Sequence, residues 1–239
     1  LYVPDDWSLH KSHFQKFMKR LRKCFSDQRI RFFHCGEYGR TCRHGLHLDT
    51  VACPVCNVGR PHYHAILFNC SFPDLEKYTQ VNGEDRFTSP LLERLWKYGF
   101  VDVGAVNFES AAYVARYALK KVTGVRADEW YADRENGCWR QPEYCTMSRR
   151  PGIGRDWYEQ YKSDLFPSDE VPIPGSGVFK GMPRYYEALF EREDPLCLQE
   201  IKELRQVFRR ENAGEYTPER LMDKYKCMKA RLELRQRSL

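Results

Sequence analysis

Hydrophobic positions change their period twice in the first third of the chain. Leu9, His13, Phe17, Leu21 and Phe25 recur every four residues, with Phe14 and Met18 beside them. That spacing predicts an amphipathic helix over 9–25, with Ser8 as its N-cap. RIRFFHC at 29–35 is aromatic and apolar and predicts a strand that stops at the GEYG turn, 36–39. A turn-rich stretch containing cysteines and histidines follows, 40–60. HYHAILFN at 62–69 alternates and then turns continuously apolar, as a strand inside a sheet does.

Further on, 90–98 predicts a short helix with Leu91, Leu92, Leu95 and Trp96 on its buried side. GFVDVG at 99–104 reads as a strand between glycines. ESAAYVARYALKKV at 109–122 is built of good helix formers, with Asn107 or Ser110 as cap and Gly124 past its end. Six prolines from Pro142 to Pro183 predict extended, loop-rich structure over most of 124–181. From Asp194 the period is helical again, with a break from Asn212 to Pro218 where Thr217 caps and Pro218 opens a second helix. The expected fold class is α+β, with helices on an antiparallel sheet. The expected organisation is a domain over 1–160 with an insert at 40–60, a Pro/Gly-rich connector over 161–193 and a charged helical extension over 194–239.

Composition narrows the classes. The 239 residues are 42% hydrophobic, enough for a core, so a disordered chain is excluded. No apolar run approaches the about 20 residues that span a bilayer, so no membrane partner is expected. The net charge of +6 is modest, but its distribution is not. Lys11, Lys16, Lys19, Arg20, Arg22, Lys23, Arg29 and Arg31 stand against the single acid Asp27 in 11–31, a face suited to nucleic acid or simply to water. Ten cysteines in a chain of this length, without an export signal, point to a reducing cytoplasm rather than a disulfide framework.

Two constellations carry chemistry. His62 and His64 are two apart in a predicted strand, so both imidazoles leave the same face. Glu37, at the end of the neighbouring strand, is the candidate third ligand, and such a set suits Mn2+ or Mg2+. Two histidines hydrogen-bonded on a half-exposed sheet fit the same spacing. Tyr113 and Tyr117 are four apart on a predicted helix and share a face, with Arg116 and Lys120 three residues after each. A phenol titrates near pH 10 and needs a cation beside it to attack at neutral pH. Plain helix packing accounts for the pair equally. In the insert, Cys53 and Cys56 with Cys42 and His44 or His47 make a candidate structural zinc site; thiols in a mobile loop are the rival.

GEYG at 36–39, RPHYHAILF at 60–68 and YVARYALKK at 113–121 together resemble replication initiators of the HUH endonuclease superfamily. The nearest resemblance is to the rolling-circle replication proteins of single-stranded DNA microviruses, the gokushovirus-like group. LHKSHFQKFMKRLRK at 9–23 and MSRRPGIGRDWY at 147–158 extend it. The resemblance implies a central antiparallel sheet flanked by helices, and His62, His64 and Glu37 as ligands of a divalent metal. It implies Tyr113 and Tyr117 as alternating nucleophiles, Lys120 as the motif lysine, and Arg116 or Lys121 sharing its role. The implied reaction nicks the single-stranded viral origin through a 5′-phosphotyrosine, primes the host replication machinery and rejoins the strand, in the cytoplasm of a bacterial host. Arg149, Arg150 and Arg155 are expected DNA contacts beside glycines that admit a phosphate. The family carries an apolar strand upstream of a segment like YVPDD at 2–6, and this chain is expected to lack it. A plasmid- or transposon-type nickase and a non-catalytic zinc-stabilised nucleic-acid-binding protein are the alternatives.

Overall fold

The computed structural model describes residues 4–39, 59–81, 83–116, 121–132, 139–173 and 177–236. They form two compact units, Leu1–Ile153 and Gly154–Leu239, each with its own core.

The first unit contains α1 (Lys11–Cys24), β1 (Arg31–Tyr38), β2 (Pro61–Phe68), β3 (Glu76–Val81) and β4 (Glu84–Thr88). These are followed by α2 (Pro90–Trp96), α3 (Phe108–Arg116), α4 (Arg126–Tyr131) and β5 (Tyr144–Met147). β1 is the middle strand of an antiparallel sheet of order β2-β1-β5. The GEY segment is part of β1, so the strand runs past the predicted turn and Glu37 lies inside the ladder. Pleating sorts the side chains. Phe32, His34, Gly36 and Tyr38 share one face with Tyr63 and Thr146; Phe33, Cys35 and Glu37 share the other with Ile66, His64 and His62.

α1 covers the first face. Phe14, Phe17, Met18 and Leu21 are buried on one helical stripe with Ile30, Phe72, Leu92 and Val101. Each such side chain contributes about 1.5–3 kcal/mol on burial. Phe14 stacks on the imidazole of His34 at 3.5 Å between ring centres. Leu9 approaches the strand so closely that a Cβ on Gly36 would stand 2.9 Å from its Cδ2. The hydroxyls of Tyr38 and Tyr63 accept the backbone N–H groups of Leu9 and His10, at 3.1 and 2.8 Å, and fix the helix start over the sheet. Ser8 is therefore not the cap: its Oγ accepts the Gln141 N–H at 2.9 Å, and His10 holds the N-cap position. Arg20 donates to Leu95 O and Trp96 O, satisfying the open carbonyls of α2. Ser89 caps α2 by accepting the Leu92 N–H.

The β3–β4 hairpin escapes the hydrophobic pattern because both strands are solvent-facing. Its signal is the Asn82-Gly83 pair, and Gly83 has φ of +83°. The strand expected over 99–104 is not formed. Only Val103 pairs, exchanging both backbone hydrogen bonds with Phe87, because flanking glycines and the outward Asp102 leave nothing more to bury. α4 carries a second anchor: the buried Tyr131 donates a short hydrogen bond to the buried Glu143 and accepts the Val122 N–H at 2.9 Å. Burial, then this carboxylate, pushes the Tyr131 phenol up to about 12.

The second unit holds α5 (Arg155–Leu165), a β6–β7 ribbon (Glu170–Ile173, Gly177–Lys180), α6 (Arg184–Glu193), α7 (Pro195–Glu211) and α8 (Pro218–Gln236). The irregular stretch expected over 124–181 thus contains α4, β5, α5, β6 and β7. Its prolines sit where they cost little: Pro167 follows the end of α5, and Pro172 lies in a two-stranded ribbon. Tyr158, Leu165, Phe166, Met182, Leu189, Leu198 and Ile201 form its core. Arg205 bridges Asp169, at 2.6 Å through two nitrogens, and Glu187. Thr217 accepts the Arg220 N–H at 3.3 Å, and Pro218 opens α8 as the sequence predicts.

Burial lowers His34 to about 3 and His13 to about 4. The unfolded imidazoles take up protons near pH 6.5 and the folded ones resist. Stability is therefore full above about pH 6.5 and falls as pH drops toward 3–4. His34 alone accounts for roughly 5 kcal/mol of that loss, at about 1.36 kcal/mol per unit. Urea titrations of a His34→Phe variant are expected to show a flatter acid limb than wild type. Tyr131→Phe is expected to lower the urea midpoint by an amount equivalent to about 1–3 kcal/mol, since it strips a hydrogen bond from a buried carboxylate.

Candidate active site

The β1–β2 ladder sets Glu37 directly opposite His62 and Cys35 opposite His64. Glu37 and both imidazoles therefore share the sheet face that α1 leaves uncovered. His64 Nε2 donates to Glu37 Oε1 at 2.9 Å. Glu37 is buried, with 7% of its surface exposed, so this pairing takes place in a shielded setting. His62 is held by the segment before it: the Arg60 guanidinium donates to His62 Nε2 at 3.3 Å. The ring also rests on Gly39, where a Cβ would stand 2.9 Å from His62 Cε1. Among the described residues His62 Nδ1 is buried with no hydrogen-bond partner. Burial first, and the Arg60 charge second, lower the His62 pKa, while Glu37 pulls it up. His62 thus favours the neutral form, the form that binds metals.

Sequence alternation brings these three donors to one face, but they do not stand as a finished cage. Among the described residues no group of three His, Cys, Asp or Glu is arranged to hold a metal ion. The donor types do suit a hard or borderline divalent cation, and the orphaned Nδ1 and the half-shared Nε2 of His62 are the groups left with capacity.

α3 delivers the phenol. Asn107 and Ser110 cap its start reciprocally: Asn107 Oδ1 accepts the Ser110 N–H at 2.7 Å and Ser110 Oγ accepts the Asn107 N–H at 2.9 Å. The helix lies against β2, and the Tyr113 ring meets His64 edge-on, with centroids 6.3 Å apart. The Arg116 guanidinium sits over the Tyr113 ring at 5.8 Å. The predicted helix over 109–122 is shorter at its end than expected. Lys121 and Val122 are not helical, because the Val122 N–H is taken by the Tyr131 hydroxyl instead of a helical carbonyl. Tyr117 and Lys120 lie outside the described residues, as do Cys42, His44, His47, Cys53 and Cys56.

The remaining expected contacts are dispersed. Lys121 is exposed just beyond α3. Arg149 and Arg150 occupy an exposed turn after β5, with Arg150 at φ +59°. Arg155 belongs to the second unit, where it pairs with Glu159 one turn along α5 and lies over the Tyr158 ring. Three residues escaped the sequence reading. Arg60 adjoins the HxH pair and could have been found by adjacency. Tyr131 and Glu143 gave no local signal, since they meet only through the tertiary fold.

Residues 1–122 match the family model of the replication-associated protein ORF2. The replication-associated protein VP4 of Bdellovibrio phage phiMH2K is 34% identical over 57% of this chain and 40% of its own length. The replication-associated protein ORF2 of Spiroplasma virus 4 is 34% identical over 81% of this chain and 55% of its own. ORF4 of Chlamydia phage 1, also a replication-associated protein, is 28% identical over 77% and 42%. The chain thus spans about half the length of the curated relatives it matches, and no solved structure matches it. Glu37, His62, His64 and Tyr113 all fall inside the matched segment, and the chain belongs to the family of the replication-associated protein ORF2.

Proposed function

We propose that this chain carries the nicking and joining domain of a replication initiator for a single-stranded DNA phage of the microvirus type. The observation that carries the reading is the Tyr113 ring set against His64, which is itself bonded to Glu37, on the face that also presents His62. Kinship with phage replication-associated proteins supports the same role.

The chemistry follows from that placement. A Mn2+ or Mg2+ ion held by Glu37, His62 and His64 supplies charge neutralisation at the scissile phosphate and favours the phenolate. The Tyr113 oxygen attacks phosphorus, giving up its proton. The bond from phosphorus to the 3′ oxygen breaks, and that oxygen takes up a proton and leaves as a 3′-hydroxyl. The 5′-phosphate stays on the tyrosine as an ester of similar energy, so rejoining needs no nucleotide triphosphate. Arg116, beside the phenol, offsets negative charge as it builds on the phosphate.

Tyr117 is the second nucleophile in this scheme and Lys120 the accompanying lysine, roles that rest on sequence spacing. Lys121, Arg149 and Arg150 are assigned to the DNA path by their exposure and charge, while Arg155 is occupied by Glu159. The free 3′-hydroxyl would prime the host replication machinery in the infected bacterium. No helix among the described residues is long and apolar enough to cross a membrane.

Single-stranded oligonucleotides tiling the cognate phage genome, incubated with the protein and Mn2+, are expected to give an adduct that survives denaturing electrophoresis. The Tyr113→Phe/Tyr117→Phe double variant is expected to give none. His62→Ala and His64→Ala are each expected to slow adduct formation by about 10²-fold or more, as does removal of one preorganised electrostatic group elsewhere. An adduct of undiminished yield in the double variant would overturn the assignment of the nucleophile. Zinc is expected to co-purify with the chain through the 42–56 cluster, and a metal assay on freshly reduced protein checks it.

A further inference from the structure

α1 carries a second feature that the nicking site does not use. At about 100° per residue, Lys11, Lys16, Lys19, Arg22 and Lys23 fall within an arc of about 140° on its outer side. Phe14, Phe17, Met18 and Leu21 occupy the opposite, buried side. The helix contains no acid, and Lys16, Lys19 and Lys23 make no ion pair among the described residues. The acids flanking it are engaged: Asp6 pairs with His10 at 3.0 Å, and Asp27 accepts from Ser26. Two other cations near this face serve the fold. Arg20 holds the end of α2, and Arg22 lies over Phe32.

The register of the sheet decides what this face can serve. α1 packs on the side of Phe32, His34 and Gly36, whereas Glu37, His62, His64 and Tyr113 project from the other. A phosphate at the imidazoles is therefore separated from these lysines by the thickness of the sheet and the helix. One short strand lying in the nicking site does not touch both. The chemistry of the face also discriminates. Single-strand surfaces interleave cations with exposed rings on which bases stack. Here every aromatic residue of α1 is buried, so the outer side offers charge without stacking. Cations alone bind backbone phosphates, which double-stranded DNA displays at the higher density.

We propose that the outer face of α1 is a docking surface for double-stranded DNA, which holds a duplex arm next to the nick on the opposite side of the sheet from the strand being cut. The statement about the nick rests on the nicking reading above. The docking surface does not.

The test uses the full chain, with fluorescence anisotropy on a duplex of about 20 base pairs and on a single strand of equal length, between about 50 and 200 mM salt. The Lys16→Gln/Lys19→Gln/Lys23→Gln variant is expected to lower the slope of log K against log salt by about 2.7 on the duplex, three contacts at about 0.9 each. The slope on the single strand is expected to stay at the wild-type value. The arginine triple variant is expected to restore the duplex slope. Should the glutamine triple variant unfold, Lys19→Gln alone is expected to lower the duplex slope by about 0.9. An unchanged duplex slope overturns the proposal, as does an equal fall on both DNAs, which would assign the face to single strands. Adduct formation by wild type tests the nicking reading separately: a reduced duplex slope with no adduct leaves the docking surface standing alone.

Discussion

Backbone pairing between β1 and β2 is the constraint on which the molecule depends. Side chains of an antiparallel pair alternate with a period of two, so the register that sets Glu37 opposite His62 decides both faces of the sheet at once. A slip of one residue would turn Glu37 toward α1 and expose His34 and Phe32. The register is held by burial on the helix side: Phe14 stacks on His34, and Leu9 fills the space that Gly36 leaves by having no side chain. The residues that stabilise the domain are thus neighbours in sequence of the residues that would do chemistry, one step along the same strand.

Four histidines show how environment divides one side-chain type between these tasks. His13 and His34 sit beneath α1, depressed by burial and packed against aromatic rings, with His34 also bonded to Thr146. They behave as flat, neutral core residues. His62 and His64 stand on the other face, and their neighbours there are polar: Arg60 and Glu37. Tyrosines divide likewise. Tyr38, Tyr63 and Tyr131 use their hydroxyls to fasten backbone N–H groups, while Tyr113 presents its ring to an imidazole. Opposed faces of one sheet also give the domain room for two DNA segments that do not compete.

How much was legible depended on whether the signal was local. The HYH alternation, the apolar run after it and the four-residue spacing of α1 are local, and all three elements formed within two residues of expectation. Ser89 and Thr217 capped as their types suggest. The glycines of GEYG suggested a turn, yet β1 continues through them, because Gly36 is there for a close approach by Leu9 and not for a bend. GFVDVG has strand-like composition, but only one of its residues finds a partner. Prolines over 142–183 suggested loops; they lie at element ends and in a two-stranded ribbon, where a missing N–H costs little.

The sequence by itself determined which residues share a face: His62 with His64, the lysines of α1 away from its phenylalanines, Tyr113 on a helix. Those relations follow from the fixed periods of helix and strand, which any short segment obeys wherever it ends up. Only the tertiary structure decided that Glu37 bonds His64, that Arg60 and Gly39 hold His62, that Tyr113 meets β2, and that the basic side of α1 lies across the sheet from them. Each of those meetings joins segments separated along the chain. Their choice of partner is made by the burial and hydrogen bonding of the whole sheet, which no single segment encodes.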